Sequence, residues 1–113
     1  MERTILIAED SPTQAERLRL LLEGEGYRVE RVENGRDGLR RVKVGAPDLI
    51  ISDVVMPEMD GYAFCHAVKS ADRTRRIPFV LLTERKTPLD IIKAWFEMTA
   101  ADATGDEEKA IAP

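Results

Sequence analysis

The sequence predicts an α/β fold, in which a doubly wound parallel sheet carries helices on both faces. Three observations support this prediction. Short apolar runs, such as Leu49-Ile50-Ile51 and residues 77–82, have the length and composition of strands that are covered on both sides. Amphipathic segments with a helical period separate these runs. Strand and helix alternate four times along the chain, which is typical of a parallel sheet with right-handed crossovers.

The composition indicates one globular domain. The chain has 113 residues, of which 43% are hydrophobic and 34% are charged, and this length suits a single core. A formal net charge of −4 argues against unaided nucleic-acid binding. No apolar stretch approaches membrane-spanning length, the start is unlike a signal peptide, and no Gly-x-x-x-x-Gly-Lys loop for nucleotides is present. The single cysteine, Cys65, fits a reducing compartment. We therefore expect a cytoplasmic protein without a membrane or nucleic-acid partner.

Local signals set the boundaries of the elements. Ser11-Pro12-Thr13-Gln14 combines an N-cap, a proline at the first helical position and a capping-box glutamine. Gly24 and Gly26 stop the helix that follows, and Asn34-Gly35 opens a second one. The predicted elements are, in order, strand 4–8, a helix to about residue 23, strand 27–32, a helix to residue 44, strand 49–53, a helix over about 61–71, strand 77–82 and a helix over about 87–98.

Three of the strands are followed by oxygen-bearing side chains. Glu9 and Asp10 follow the first strand, Asp53 ends the third, and Thr83 follows the fourth. The carboxyl ends of parallel strands lie on one rim of the sheet, where α/β folds bind ligands. Carboxylates that converge resist ionisation unless a cation neutralises them, and hard oxygen ligands suit Mg²⁺. Taken singly, Asp53 could cap a turn and the other acids could be solvated loop charges, but their joint placement favours a site.

This arrangement has a recognisable chemistry. A carboxylate beside a metal ion can attack a phosphorus centre and form an acyl phosphate. A nearby hydroxyl then offsets charge on the phosphoryl oxygens.

Three stretches of the chain resemble the receiver domains of two-component response regulators. They are Ile5-Leu-Ile-Ala-Glu9-Asp10-Ser-Pro12, Asp48-Leu-Ile-Ile-Ser-Asp53-Val-Val-Met-Pro-Glu-Met-Asp-Gly61 and Phe79-Val-Leu-Leu-Thr83. The resemblance covers about residues 4–98, and it implies a flavodoxin-like sheet with the strand order 2-1-3-4-5. A protein of this kind is a signalling phosphoacceptor and not an enzyme, beyond its own phosphorylation and dephosphorylation.

The resemblance also implies a role for each site residue. Asp53 would be the phosphoacceptor, which takes a phosphoryl group from the histidine of a sensor kinase or a phosphotransfer protein. Glu9 and Asp10 would hold Mg²⁺, together with Asp53 and the backbone carbonyl of Val55. Thr83 would bond a phosphoryl oxygen and carry the conformational switch.

The C-terminal part departs from the family's pattern. The family's fifth strand ends on a lysine that would fall near Gly105 here, and Lys109 comes a few residues late. The tail is acidic and poor in β-branched residues, so it predicts a poor strand. We therefore expect a receiver core over residues 1–98 and an atypical tail over 99–113, with the fifth strand and fifth helix absent or atypical. Delivery of Lys109 to the site by another path stays open.

These departures lead to a prediction about assembly. Without a fifth strand, residues 77–82 would form an unpaired apolar sheet edge. The helix over 87–98 is apolar around most of its circumference. We therefore predict a homodimer, with exchange of C-terminal elements between the chains as one route. In a competing interpretation, Trp95 and Phe96 cover the vacated position within one chain. The alternative function is that of a degenerate or truncated receiver that acts as a phosphorylation-independent dimerisation or interaction module.

Overall fold

The fold centres on a five-stranded parallel sheet. The computed structural model describes residues 3–82 and 108–111, the last four by their backbone. The strands lie in the order β2-β1-β3-β4-β5, and their bounds are β1 Thr4–Ala8, β2 Arg28–Val32, β3 Leu49–Asp53, β4 Phe79–Leu82 and β5 Glu108–Ile111. This confirms the predicted flavodoxin-like order.

Each of the three described helices begins at a side-chain cap. The helices are α1 (Pro12–Gly24), α2 (Gly35–Val44) and α3 (Gly61–Ser70). Ser11, Asn34 and Asp60 are their N-caps, and each side chain accepts a hydrogen bond from the backbone N–H three residues further on. These bonds satisfy N–H groups that have no partner within the helix. For the elements within residues 3–82, the boundaries predicted from the local signals are confirmed to within about two residues.

The strand side chains alternate between two cores. On one face, Ile7 of β1, Ile51 of β3 and Val80 of β4 pack in a cluster with Leu22 of α1. On the other face, apolar side chains of β1, β3 and β4 pack with Val42 of α2 and with α3. All five residues of β3 are buried, because the strand has neighbours on both sides and apolar clusters on both faces. Packing on both faces therefore fixes the position of the carboxyl end of β3.

A pair of aromatic rings joins α3 to β4. The rings of Phe64 and Phe79 meet edge to face, with their centroids 5.1 Å apart and their planes at 74°. Gly38 on α2 approaches the Phe64 ring so closely that an added Cβ would lie 2.5 Å from its Cζ. The small residue at position 38 therefore lets α2 pack against α3.

The expectation that the tail leaves β4 as the edge of the sheet is wrong. Glu108–Ile111 forms β5 and pairs with β4 at all four positions, from Phe79 opposite Glu108 to Leu82 opposite Ile111. The low β-propensity of the tail was a poor guide, because pairing with a buried strand satisfies backbone groups that would otherwise stay open. Lys109 therefore lies in a strand, in the row of Val80.

Pairing of β4 with β5 removes one of the two reasons to predict a homodimer. An unpaired β4 edge was the first reason to predict a homodimer, and β5 occupies that edge. The second reason was the apolar helix over 87–98 with Trp95 and Phe96, which lies outside the described residues. Within the described part of the chain, no helix is both long and apolar enough to span a membrane.

Candidate functional site

Three acidic side chains meet at the carboxyl ends of β1 and β3. Glu9, Asp10 and Asp53 each offer a carboxylate oxygen, and these oxygens lie within 4.8 Å of one another. Glu9 and Asp53 are only 3% and 2% exposed, whereas Asp10 is exposed. The parallel pairing of Ala8 with Ser52 brings the two strand ends to the same height. The structure thus brings together the three acids that the sequence singled out.

The turn after β3 orients Asp53. Its Oδ1 accepts a hydrogen bond from the Val54 N–H at 2.8 Å, and its backbone carbonyl accepts one from the Ser52 hydroxyl at 2.7 Å. The chain then returns so closely that the Gly61 N–H donates to the Val54 carbonyl at 2.8 Å. A Cβ on Gly61 would lie 2.1 Å from the Asp53 carbonyl oxygen. Glycine at position 61 is therefore a condition for the close turn that holds Asp53.

The acidic turn after β1 is held by β2 and by the start of α1. The Glu9 N–H donates to the Val32 carbonyl at 3.0 Å, and Glu9 Oε2 accepts from the Ser11 N–H at 3.1 Å. The Arg31 side chain donates from Nε to the Glu9 carbonyl at 3.0 Å and from Nη2 to the Asp10 carbonyl at 3.2 Å. Every one of these contacts fixes the backbone or the side chain of an acid that belongs to the cluster.

Arg31 was missed by the sequence analysis. No motif marks it, since it is one charged position in an alternating strand. Its only signal is positional: in the predicted order β2 adjoins β1, and the register places Arg31 opposite Ile7, close to the rim.

The loop between β3 and α3 rests on the start of α2. The Gly35 N–H donates to the Met59 carbonyl at 3.0 Å, and the Arg36 guanidinium lies 3.7 Å from the Glu58 carboxylate. Glu58 has a φ of 67°, in the left-handed region that non-glycine residues seldom adopt. The predicted ligand residue Val55 lies in this loop, and its side chain is 68% exposed. The role of its carbonyl stays a prediction.

The predicted contact residue Thr83 lies outside the described residues. It directly follows Leu82, which is paired with Asp53 in the sheet. Ile111 of β5 occupies the same row on the far side of β4. Lys109 comes two residues before that row, so the backbone of β5 approaches the rim without bringing Lys109 level with Asp53.

The donor set fits a small divalent cation. Three carboxylates within 4.8 Å repel one another when ionised, and a cation among them removes this penalty. Oxygen donors alone, two of them on buried residues and one on an exposed residue, match the preference of Mg²⁺ for hard ligands and retained water. A cation held by these residues would therefore neutralise negative charge next to a carboxylate that is able to act as a nucleophile.

Comparisons with known proteins show which family of sequences this chain resembles. The sequence model of the response regulator receiver domain matches residues 5–104. Protein PilH of Pseudomonas aeruginosa is 34% identical over 91 residues, which are 80% of this chain and 74% of PilH. The transcriptional regulatory protein AfsQ1 of Streptomyces coelicolor is 35% identical over 89 residues, which are 79% of this chain. The chain spans only 38% of the length of AfsQ1.

A solved structure shows the same likeness. The receiver domain of a signal transduction histidine kinase from Syntrophus aciditrophicus is 44% identical, with a TM-score of 0.74, and the match covers 98% of this chain and 80% of that one. The family match covers most of the chain. The chain belongs to the response regulator receiver-domain family of two-component signalling systems.

Proposed function

We propose that the chain is a phosphoacceptor in which Asp53 takes a phosphoryl group from the histidine of a sensor kinase or a phosphotransfer protein. The observation that carries this proposal is the convergence of Glu9, Asp10 and Asp53 within 4.8 Å at the ends of two paired strands. Membership of the receiver family supports it, because phosphorylation of an aspartate at this strand end is the family's usual activity.

The transfer exchanges one bond to phosphorus for another. A carboxylate oxygen of Asp53 bonds to phosphorus while the bond between phosphorus and the donor's imidazole nitrogen breaks. The electron pair of that bond stays on the imidazole, and the product is an acyl phosphate. The hydrogen bond from the Val54 N–H to Asp53 Oδ1 holds the carboxylate in one orientation, which lowers the entropic part of the barrier.

Glu9, Asp10 and Asp53 would hold Mg²⁺, with the Val55 carbonyl as a further ligand from the β3–α3 loop. When bound, the ion offsets the negative charge on the phosphoryl oxygens. Glu9 is buried and held by the Ser11 N–H, so it would supply negative charge from the protein side of the ion. Asp10 is exposed and would face the ion from the solvent side. Thr83 would contact a phosphoryl oxygen from the end of β4.

The experiment uses a small phosphodonor, acetyl phosphate, with and without Mg²⁺. Intact mass spectrometry should show one added phosphoryl group, which hydroxylamine removes and which requires the metal. Asp53→Asn should abolish the adduct. The matched control is Asp60→Asn, because Asp60 is exposed and serves as the N-cap of α3, a role that asparagine fills equally well. Undiminished labelling of Asp53→Asn would refute the assignment.

The phosphorylation-independent interaction module is the weaker candidate. Its main support was an open β4 edge, and β5 covers that edge. As a phosphoacceptor, the chain is a signalling protein whose only catalysis concerns its own phosphoryl group, and its place is the cytoplasm, where Cys65 remains reduced. Sedimentation of the unmodified and the phosphorylated chain tests the predicted homodimer directly.

A further inference from the structure

Arg31 connects the edge strand β2 to the acidic turn after β1. Its guanidinium donates to two successive backbone carbonyls, those of Glu9 at 3.0 Å and Asp10 at 3.2 Å. We propose that Arg31 is a positioning residue, which sets the geometry of the Glu9–Asp10 turn for cation binding. This inference rests on the proposed function, since it assigns a residue that prepares the same site.

The contact uses the fixed geometry of a guanidinium. The guanidinium is a planar fork whose Nε and Nη2 point in fixed directions, so it can hold two acceptors at once. A lysine at this position would keep the charge but present it as a point on a flexible stem. Arg31 is half-buried, so its side chain has fewer alternative positions than an exposed one.

The clamp acts together with the main chain of β2. The Glu9 N–H donates to the Val32 carbonyl at 3.0 Å, and the two bonds from Arg31 fix the next two carbonyls of the same turn. Carbonyl directions determine the backbone dihedrals of the turn, and these dihedrals determine where the side chains of Glu9 and Asp10 point. The position of two of the three converging carboxylates therefore depends on a side chain from a different strand.

Positioning and charge have opposite consequences for metal affinity. A positive guanidinium close to the acids repels a divalent cation, so its removal would strengthen binding if charge were its main effect. Loss of a positioning contact instead weakens binding, typically by 10- to 100-fold for outer contacts of metal ligands. Only the charge effect fades as ionic strength rises.

The test measures the Mg²⁺ dissociation constant by calorimetry at low and at high salt, using the full chain. Arg31→Lys and Arg31→Gln should both raise the constant about tenfold at each salt concentration, the low end of the range for outer contacts. A dissociation constant for Arg31→Lys equal to that of the wild type would overturn the proposal. Tighter binding by Arg31→Gln would overturn it as well, because charge would then dominate.

Arg28→Lys is the matched control. Arg28 lies at the other end of β2 and its side chain is 64% exposed, so its replacement should leave the dissociation constant unchanged. Thermal unfolding in EDTA shows that each variant is folded, and the amide shifts of residues 9–11 should move in Arg31→Lys but not in Arg28→Lys. Amide shifts that stay in place in Arg31→Lys would overturn the proposal.

The outcomes separate this inference from the proposed function. If the wild-type chain bound Mg²⁺ no better than an Asp10→Asn variant, which lacks one of the ligands, both the positioning role and the proposed function would be overturned. A wild-type chain that binds Mg²⁺ and is phosphorylated on Asp53, while Arg31→Lys binds equally well, would overturn the positioning role alone.

Discussion

Replacement of Gly61 by alanine should destabilise the protein at the turn that carries Asp53. The added Cβ would lie 2.1 Å from the Asp53 carbonyl oxygen and 3.0 Å from both the Asp53 carbonyl carbon and the Val54 Cα. These are backbone atoms at the end of the buried central strand, so they cannot move aside as a flexible side chain would. Instead, the start of α3 must shift, and the bond from the Gly61 N–H to the Val54 carbonyl is strained or lost.

Three effects set the size of the change. Overpacking in a rigid environment costs about 1–3 kcal/mol, and loss of the backbone hydrogen bond costs about 0.5–1.5 kcal/mol. Alanine in place of glycine returns up to about 1 kcal/mol through helix propensity and a less flexible unfolded chain. We therefore expect Gly61→Ala to lower the free energy of unfolding by about 2.5 kcal/mol, taking the middle of each range.

Gly24→Ala makes the same chemical change where space is free. Gly24 ends α1, and an added Cβ there would have nothing within 4 Å, so this variant should gain about 0.5 kcal/mol. Urea unfolding followed by circular dichroism measures both. Phosphorylation of Asp53 should also slow in Gly61→Ala alone, since the clash displaces the strand end. Equal stability of the two variants would mean that the close approach of Gly61 to the Asp53 carbonyl does not limit the residue at position 61.

Two further predictions concern the packing of α2. Gly38→Ala should lower the free energy of unfolding by about 1 kcal/mol or more, because its Cβ would lie 2.5 Å from the Phe64 ring; if Phe64→Leu fails to relieve part of that loss in the double variant, the clash is not the cause. The Arg41 guanidinium donates a hydrogen bond that lowers the pKa of the Glu30 carboxyl below its ordinary 4.5. Stability from this pair is therefore present above pH 4.5 and is lost as pH falls through the lowered pKa. Glu30→Gln should cost about 0.5 kcal/mol at neutral pH and nothing in strong acid, and a cost that persists in urea unfolding at acidic pH would contradict this.

The features that the sequence predicts correctly are those with a local cause. Ser11 and Asn34 cap their helices with bonds that reach only three residues, so composition around the helix start is enough to find them. The strand β3 is equally clear, because its apolar run and its terminal Asp53 are contiguous. Convergence of the acids follows once the strands are taken as parallel, because the ends of parallel strands share one rim.

The features that the sequence did not predict depend on contacts between distant segments. The tail around Lys109 has weak β-propensity, yet β5 forms because β4 supplies a backbone to pair with. Arg31 acts on the acidic turn only through the register between β1 and β2, which its own surroundings in the sequence do not encode. In both cases the deciding partner lies more than 20 residues away, beyond the range of any local pattern.

Removal of residues 108–113 recreates the sheet edge that β5 covers. The four residues of β4 are at most 5% exposed, and their pairing with β5 runs along the whole strand. Each backbone hydrogen bond lost from this pairing is worth about 0.5–1.5 kcal/mol, and the open groups form a template for another chain. The shortened chain should therefore show faster amide exchange in Phe79–Leu82 when dilute, and it should self-associate at micromolar concentration in sedimentation.

A chain that lacks only residues 112–113 is the control for this deletion. It keeps all of β5, so its exchange rates and its sedimentation should match those of the full sequence. The comparison isolates the pairing of β4 with β5 from any effect of a shorter tail. If the chain without residues 108–113 stayed monomeric and kept full amide protection in β4, then β5 would not be what closes this edge, and self-association would have to be sought on another surface.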